Sequence, residues 1–182
     1  MSRTKVTGAD LTWLHMDRPD NPMMITGLLW FDRPMDRLDL AALLDERLVQ
    51  RFPKFAQRVV RQEGAAFWEA DPAFEVAAHI HRVALPQPGG HAGLQTLVGQ
   101  AMSTRLDPDR APWHVDLIED FEGGSAIVVR LHHVIADGIS LARVLLQLAD
   151  SHEVLPPPPR QGRAAAVSGM VRGLWTVGRS WF

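Results

Sequence analysis

The sequence predicts an α/β or α+β domain: a mixed, mainly antiparallel sheet flanked by helices. Three observations predict it. Several short apolar runs are bounded by turn residues, as strands are, and two longer segments repeat their apolar residues at three and four positions, as helices do. The two kinds mix without the strict alternation of a doubly wound parallel fold. With 182 residues, 46% hydrophobic and 22% charged, the chain can bury a real core and lacks the composition of a disordered one. A net charge of −2 offers no field for nucleic acid. The absence of cysteine excludes a disulfide framework, a thiol nucleophile and thiolate metal ligands.

Each element has its own signal. Residues 9–16 (ADLTWLHM) suit one or two helical turns with Leu11, Leu14 and Trp13 inward, and Arg18-Pro19-Asp20-Asn21-Pro22 is dense in turn formers. Residues 24–31 (MITGLLWF) form a short apolar run that reads as a buried strand. Residues 38–52 place Leu40, Leu43, Leu44 and Leu48 on one helical face, and Pro53 closes the segment. Strands are expected at 57–61 and at Phe67-Trp68 around a Glu63-Gly64 turn, and again at 74–83. After a Pro/Gly loop at 86–90, residues 92–106 read as a helix carrying Leu94, Leu97, Val98, Ala101 and Met102 on one side. Residues 113–120 and 125–132 are apolar runs joined by Phe121-Glu122-Gly123-Gly124, which has hairpin chemistry. Residues 138–149 (GISLARVLLQLA) are a strongly apolar helix.

Pro156 to Pro159 is the clearest boundary, since consecutive prolines form a stiff extended spacer. It divides the chain into residues 1–155, a linker at 156–163 and a terminal segment at 164–182. In that last segment Val167, Met170, Val171, Leu174, Trp175, Gly178, Trp181 and Phe182 recur at helical spacing, with Arg163, Arg172 and Arg179 off the stripe. Such a segment reads first as a linker helix that packs on a partner, or that frays; a membrane or lipid-droplet surface is the alternative. No signal peptide precedes Asp10 and Asp17, and no run reaches the ~18 apolar residues of a spanning helix. The expectation is a cytoplasmic chain, with peripheral attachment to a membrane left open.

The chemistry concentrates in His132-His133-Val134-Ile135-Ala136-Asp137-Gly138. The β-branched run Ile127-Val128-Val129 leads a strand into the histidines. If the strand runs on, His132 and His133 point to opposite faces, so one faces a cleft and the other packs. Asp137 and Gly138 then fall in the turn to the next helix, where Asp accepts backbone hydrogen bonds and Gly permits close approach. A histidine at a strand end is suited to general-base work, because its pKa lies near operating pH. A satisfied structural cluster is the competing reading. A metal site has no ligand spacing to support it, and Ser140 lies in no nucleophile elbow.

The pattern His-His-x-x-x-Asp-Gly resembles the signature of the chloramphenicol acetyltransferase-like superfamily. Asp10-Leu11-Thr12-Trp13, then Asn21-Pro22-Met23-Met24-Ile25, resembles the start of bacterial wax ester synthase/diacylglycerol acyltransferases. Residues 106–113 (LDPDRAPW) resemble their Pro-Leu-Trp block, with Ala111-Pro112-Trp113 departing from its order, and residues 113–119 resemble the strand before the motif. The resemblance implies a chloramphenicol acetyltransferase-like half-domain over about residues 6–155. It implies His133 as general base, His132 as support, Asp137 as a structural residue, and Gly138 keeping the channel open. Pro112 and Trp113 become acyl-channel candidates, although a buried proline and tryptophan also suit a core. No cofactor or metal is implied; acyl-CoA is the co-substrate, and a fatty alcohol or diacylglycerol is the acceptor. Family members are built from two similar halves, so the expected partners include a second-half chain or a second copy. A non-catalytic lipid- or partner-binding remnant of the same fold is the alternative.

Overall fold

The structure, a computed structural model, describes residues 3–135. The expected helix at 138–149, the linker at 156–163 and the segment at 164–182 lie outside the described residues, as do Asp137 and Gly138.

The element order is β1 (Thr4–Lys5), α1 (Gly8–Met16), β2 (Met24–Phe31), α2 (Arg37–Leu44), β3 (Gln57–Gln62), β4 (Ala65–Ala70), β5 (Ile80–Arg82), α3 (Gly90–Ser103), β6 (Trp113–Phe121) and β7 (Gly124–His132). Two sheets result. One runs β1-β4-β3, all antiparallel; the other runs β2-β7-β6-β5, antiparallel except for the parallel β5–β6 pair. The mixed sheet flanked by helices is thus the α/β architecture read from the sequence.

The β6–β7 hairpin is the spine of the larger sheet. Its turn places Glu122 (φ 54°) and Gly123 (φ 82°) in the left-handed region, the geometry that matches the twist of two-residue hairpins. The β3–β4 turn repeats it at Glu63 and Gly64 (φ 51° and 77°). Along β7, Ile127, Val129 and Leu131 join the main core with Leu40, Leu44, Trp68 and Trp113. Ala126 and Val128, on the other face, join Leu94, Ala101 and Ile118 beside α3. The strand is buried along its whole length because both faces are covered.

Four expectations are revised. β2 has the expected bounds but is an edge strand, so its residues are only half-buried and Trp30 is exposed. The helix expected over 38–52 is α-helical only to Leu44. Asp36 caps its start by accepting from the Leu38 and Asp39 amides; after Leu44 the chain widens to a π-turn over Asp45–Val49, which still buries Leu48. Pro53 opens a 3-10 turn at Pro53–Ala56. The strand expected over 74–83 shrinks to β5, preceded by a 3-10 turn at Val76–His79. Helix α3 begins at Gly90, stops at Ser103, and leaves Met102 exposed while burying Leu94 and Ala101.

Candidate active site

β7 ends at His132, and the chain turns there, since the Ile135 amide donates to the His132 carbonyl (3.0 Å). The two histidines therefore leave the backbone differently from residues of a continuing strand. His132 is buried, and His133, the first residue of the turn, is partly exposed.

Two backbone hydrogen bonds anchor the pair. The His132 amide donates to the Pro112 carbonyl (3.0 Å), and the His133 amide donates to the Met23 carbonyl (2.9 Å). The first ties the histidines to the entry of β6, the second to the segment before β2. The His133 ring stacks on Trp13 of α1, with ring centroids 4.4 Å apart and planes 20° apart. His132 receives a hydrogen bond at Nδ1 from the Val134 amide (2.9 Å), and its Nε2 lies 3.7 Å from Asp17 Oδ1. Burial holds the His132 imidazole below its ordinary pKa, partly opposed by the Asp17 carboxylate and reinforced by His133. The ring is therefore neutral near pH 7.

Asp17 gathers the surroundings. Its backbone amide closes α1 on Trp13 (3.0 Å), its Oδ1 accepts from the Met23 amide (2.9 Å), and its Oδ2 accepts from Arg105 (2.7 Å). A cavity of about 100 Å³ opens beside these groups, with Asp17, Arg61, Arg105, Pro112, His132 and Val134 in its wall. It lies on the His132 side of the pair. Across the same face of the sheet, Arg130 donates to the Thr104 carbonyl (2.8 Å) just before Arg105, and burial pushes its guanidinium pKa down.

The Pro112-Trp113 pair divides. Pro112 lines the cavity, and its carbonyl holds His132. Trp113 turns the other way: it is 2% exposed, donates from Nε1 to the Phe55 carbonyl (2.7 Å), and stacks on His79 at 4.3 Å. Of the two roles the sequence allows it, its geometry is that of a core residue. The block before it is held by Asp71, whose carboxylate accepts from the Ala111 amide (3.2 Å) and from Arg110 (3.1 Å).

The structure thus brings His132, His133 and Pro112 together and sets Trp113 in the core. It adds three residues not singled out for chemistry by the sequence: Trp13 under the base candidate, and Asp17 and Arg105 beside His132. Trp13 lies in a block that the sequence marks by resemblance. Asp17 and Arg105 carry no local signal, because the contact between them spans 88 positions. Among the described residues no group of three or more His, Cys, Asp or Glu side chains could hold a metal ion, and no helix is long and apolar enough to cross a membrane.

Residues 6–173 match the model of the wax ester synthase/diacylglycerol acyltransferase catalytic domain. The chain belongs to this family. A protein of Mycobacterium tuberculosis named a "Putative diacyglycerol O-acyltransferase" is 28% identical over 158 residues, covering 81% of this chain and 31% of that protein. A second from that organism, a "Probable diacyglycerol O-acyltransferase", is 41% identical over 88 residues, 48% of this chain and 19% of its own length. Among solved structures, the wax ester synthase/diacylglycerol acyltransferase of Marinobacter aquaeolei superposes with a TM-score of 0.60 at 29% identity, over 77% of this chain and 37% of that one. The starter condensation domain of rhizomide synthetase shares the fold, with a TM-score of 0.65 at 13% identity over 82% of this chain and 37% of that domain. This member of the family spans about a third of the length of the first relatives it matches. The family match also runs through Pro156–Pro159, where the sequence alone suggests a boundary.

Proposed function

We propose that this chain is the histidine-bearing half of an acyl-CoA-dependent O-acyltransferase that esterifies a long-chain alcohol or diacylglycerol. The observation that carries the reading is the position of His133. It sits at the mouth of the β7 turn, partly exposed, with its ring seated on Trp13 and its backbone bonded to Met23. His132 beside it is buried, bonded at Nδ1 by the Val134 amide and faced at Nε2 by the Asp17 carboxylate. A base must be accessible and oriented, and of the pair His133 better meets both conditions.

In this reading His133 takes the proton from the acceptor hydroxyl as that oxygen attacks the thioester carbonyl carbon. The carbon–sulfur bond then breaks, the imidazolium returns its proton to the CoA sulfur, and the ester leaves without a covalent acyl-enzyme. Asp137 stiffens the turn, and Gly138 leaves room for the substrates. Pro112 contributes to the wall beside His132. The opposing wall and the exclusion of water come from a second half, supplied by a partner chain or a second copy. Residues 164–182 bring the assembly to a lipid surface, where both substrates partition.

The test is ester formation from labelled acyl-CoA and a long-chain alcohol or diacylglycerol. The chain is assayed alone and with the portion of the Marinobacter relative that it does not cover. His133→Ala is expected to lower turnover by about 100-fold or more, the scale of a lost general base. Equal activity in the variant sinks the base assignment. Liposome binding by the wild-type chain without ester formation under any condition favours the non-catalytic alternative.

A further inference from the structure

A closed ring of contacts surrounds the His133 turn, and a single carboxylate completes it. Asp17 Oδ1 accepts from the Met23 amide at 2.9 Å, and the Met23 carbonyl accepts from the His133 amide at 2.9 Å. One residue on, the Val134 amide donates to His132 Nδ1 at 2.9 Å, and His132 Nε2 returns to the same Asp17 oxygen at 3.7 Å. The ring joins α1, the loop before β2, and the end of β7.

Its chemistry fixes a tautomer. A neutral imidazole has one N–H, and a nitrogen that accepts a hydrogen bond cannot carry it. Because Val134 donates to Nδ1, the proton of His132 sits on Nε2, the atom facing the Asp17 carboxylate. At 3.7 Å the contact is charge–dipole rather than a hydrogen bond. It acts in a nearly closed environment, where the side chains of His132 and Asp17 are 11% and 14% exposed. With the other tautomer, Nδ1–H would face the Val134 N–H, two donors would meet, and the turn that begins at His133 would open.

Arg105 keeps the carboxylate in place by holding its second oxygen at 2.7 Å. Asp17 also ends α1, its backbone amide bonding the carbonyl of Trp13, so the carboxylate that faces His132 lies one turn from the ring on which His133 stacks.

We infer that Asp17 is a positioning residue for the base: together with the Val134 amide it favours the Nε2–H tautomer of His132 and, through Met23, it fixes the backbone of His133. This rests on the reading of His133 as base, but its structural half is testable without any acyl transfer.

The experiment uses the full chain with ¹⁵N-labelled histidine, with ring signals assigned by His132→Gln and His133→Gln. In the wild type His132 is expected as Nε2–H. Asp17→Ala is expected to mix its tautomers and to shift the His133 ring signals. Asp17→Asn keeps an acceptor for the Met23 amide without the charge, so it decides the matter if the alanine variant fails to fold; it is expected to mix the His132 tautomers. Asp17→Glu is expected to restore the wild-type spectrum in part. In the ester-forming assay Asp17→Asn should lower kcat by up to about 100-fold, the scale of a displaced catalytic group, with little change in the acyl-CoA KM. It should also move the pH midpoint of kcat. An unchanged His132 spectrum in a folded Asp17→Asn chain overturns the inference. If the spectra change as expected and neither the wild-type chain nor any variant forms ester, the positioning network stands and the functional reading alone falls.

Discussion

Trp113 allows a decisive test, because the sequence assigns it two incompatible roles. Replace it with Phe. The phenyl ring cannot donate to the Phe55 carbonyl, which now receives the Trp113 Nε1–H at 2.7 Å in a buried setting. Leaving such an acceptor unpaired costs about 1–3 kcal/mol. The smaller ring also loses part of the stack on His79, where centroids lie 4.3 Å apart and planes 16° apart, a contact of roughly 0.5–1.5 kcal/mol. Together the substitution should destabilise the chain by about 2–4 kcal/mol. For a chain of this size that lowers Tm by about 4–16 °C, read by circular dichroism and checked by a urea midpoint. A core residue predicts this loss with an unchanged preference among acyl-CoA chain lengths. A channel residue predicts the reverse. An unchanged Tm together with an altered chain-length profile would refute the core assignment.

Three further outcomes follow from the structure. A Cβ added to Gly124 would collide with the Phe31 carbonyl, which is backbone of an edge strand and cannot rotate away. Gly124→Ala should therefore separate β2 from β7 and lower stability by about 1–3 kcal/mol, as an overpacked site does; a wild-type urea midpoint would contradict it. His79, His81 and His132 are all held below the ordinary histidine pKa, chiefly by burial. Their depressed folded-state values make stability full above about pH 6.5, where the unfolded histidines are also neutral, and lost as pH falls through the lower folded values. A urea midpoint that rose between pH 7 and 5 would reverse this sign. Burial acts to raise the Asp71 pKa, but hydrogen bonds from the Ala73 and Ala111 amides and from Arg110 outweigh it and bring it below its usual value. Its stabilisation is present above the unfolded carboxylate value and disappears as pH drops through the folded one. Asp71→Asn should flatten the acid limb of a Tm-against-pH curve; an unaltered limb would assign the loss elsewhere.

What the sequence makes legible is what local chemistry controls. The β3–β4 and β6–β7 turns are written in Gly64 and Gly123, which adopt the positive φ that glycine permits, and Glu63 and Glu122 are carried into the same region beside them. The span of β2 is bounded by its own turn signals and is observed at Met24–Phe31. Its burial is not legible, because that depends on its place at the sheet edge, a property of topology. The run 74–83 looks extended, yet Val76–His79 coils so that His79 can bond the Trp113 carbonyl and stack on its ring. That partner is 34 positions away. The histidine pair is visible as a motif. The residues that orient it, Trp13, Asp17 and Arg105, are visible only once α1, β7 and the end of α3 are brought together.

The site and the strand register are one property of this fold. Met24 pairs with His132 as the last of eight consecutive β2–β7 rungs, and the series begins at Phe31 with Ser125, next to the hairpin turn. Side chains alternate along β7, so a slip of one residue would turn His132 and Arg130 to the main-core face. Such a slip would also move the Met23 carbonyl off the His133 amide and the Pro112 carbonyl off the His132 amide. Glu122 and Gly123 set the register of the hairpin from the far end, and an irregularity between Ile118 and Phe121 absorbs the one extra residue beside the turn. The Ser125 hydroxyl locks that end by accepting from the Met35 amide (2.8 Å) and donating to the Glu119 carbonyl (3.0 Å). Residues far from the histidines thus help to fix the backbone contacts that hold the pair. Changes in the turn should therefore alter the histidine ring signals before they unfold the sheet, an outcome expected only if register, rather than the motif itself, places the base.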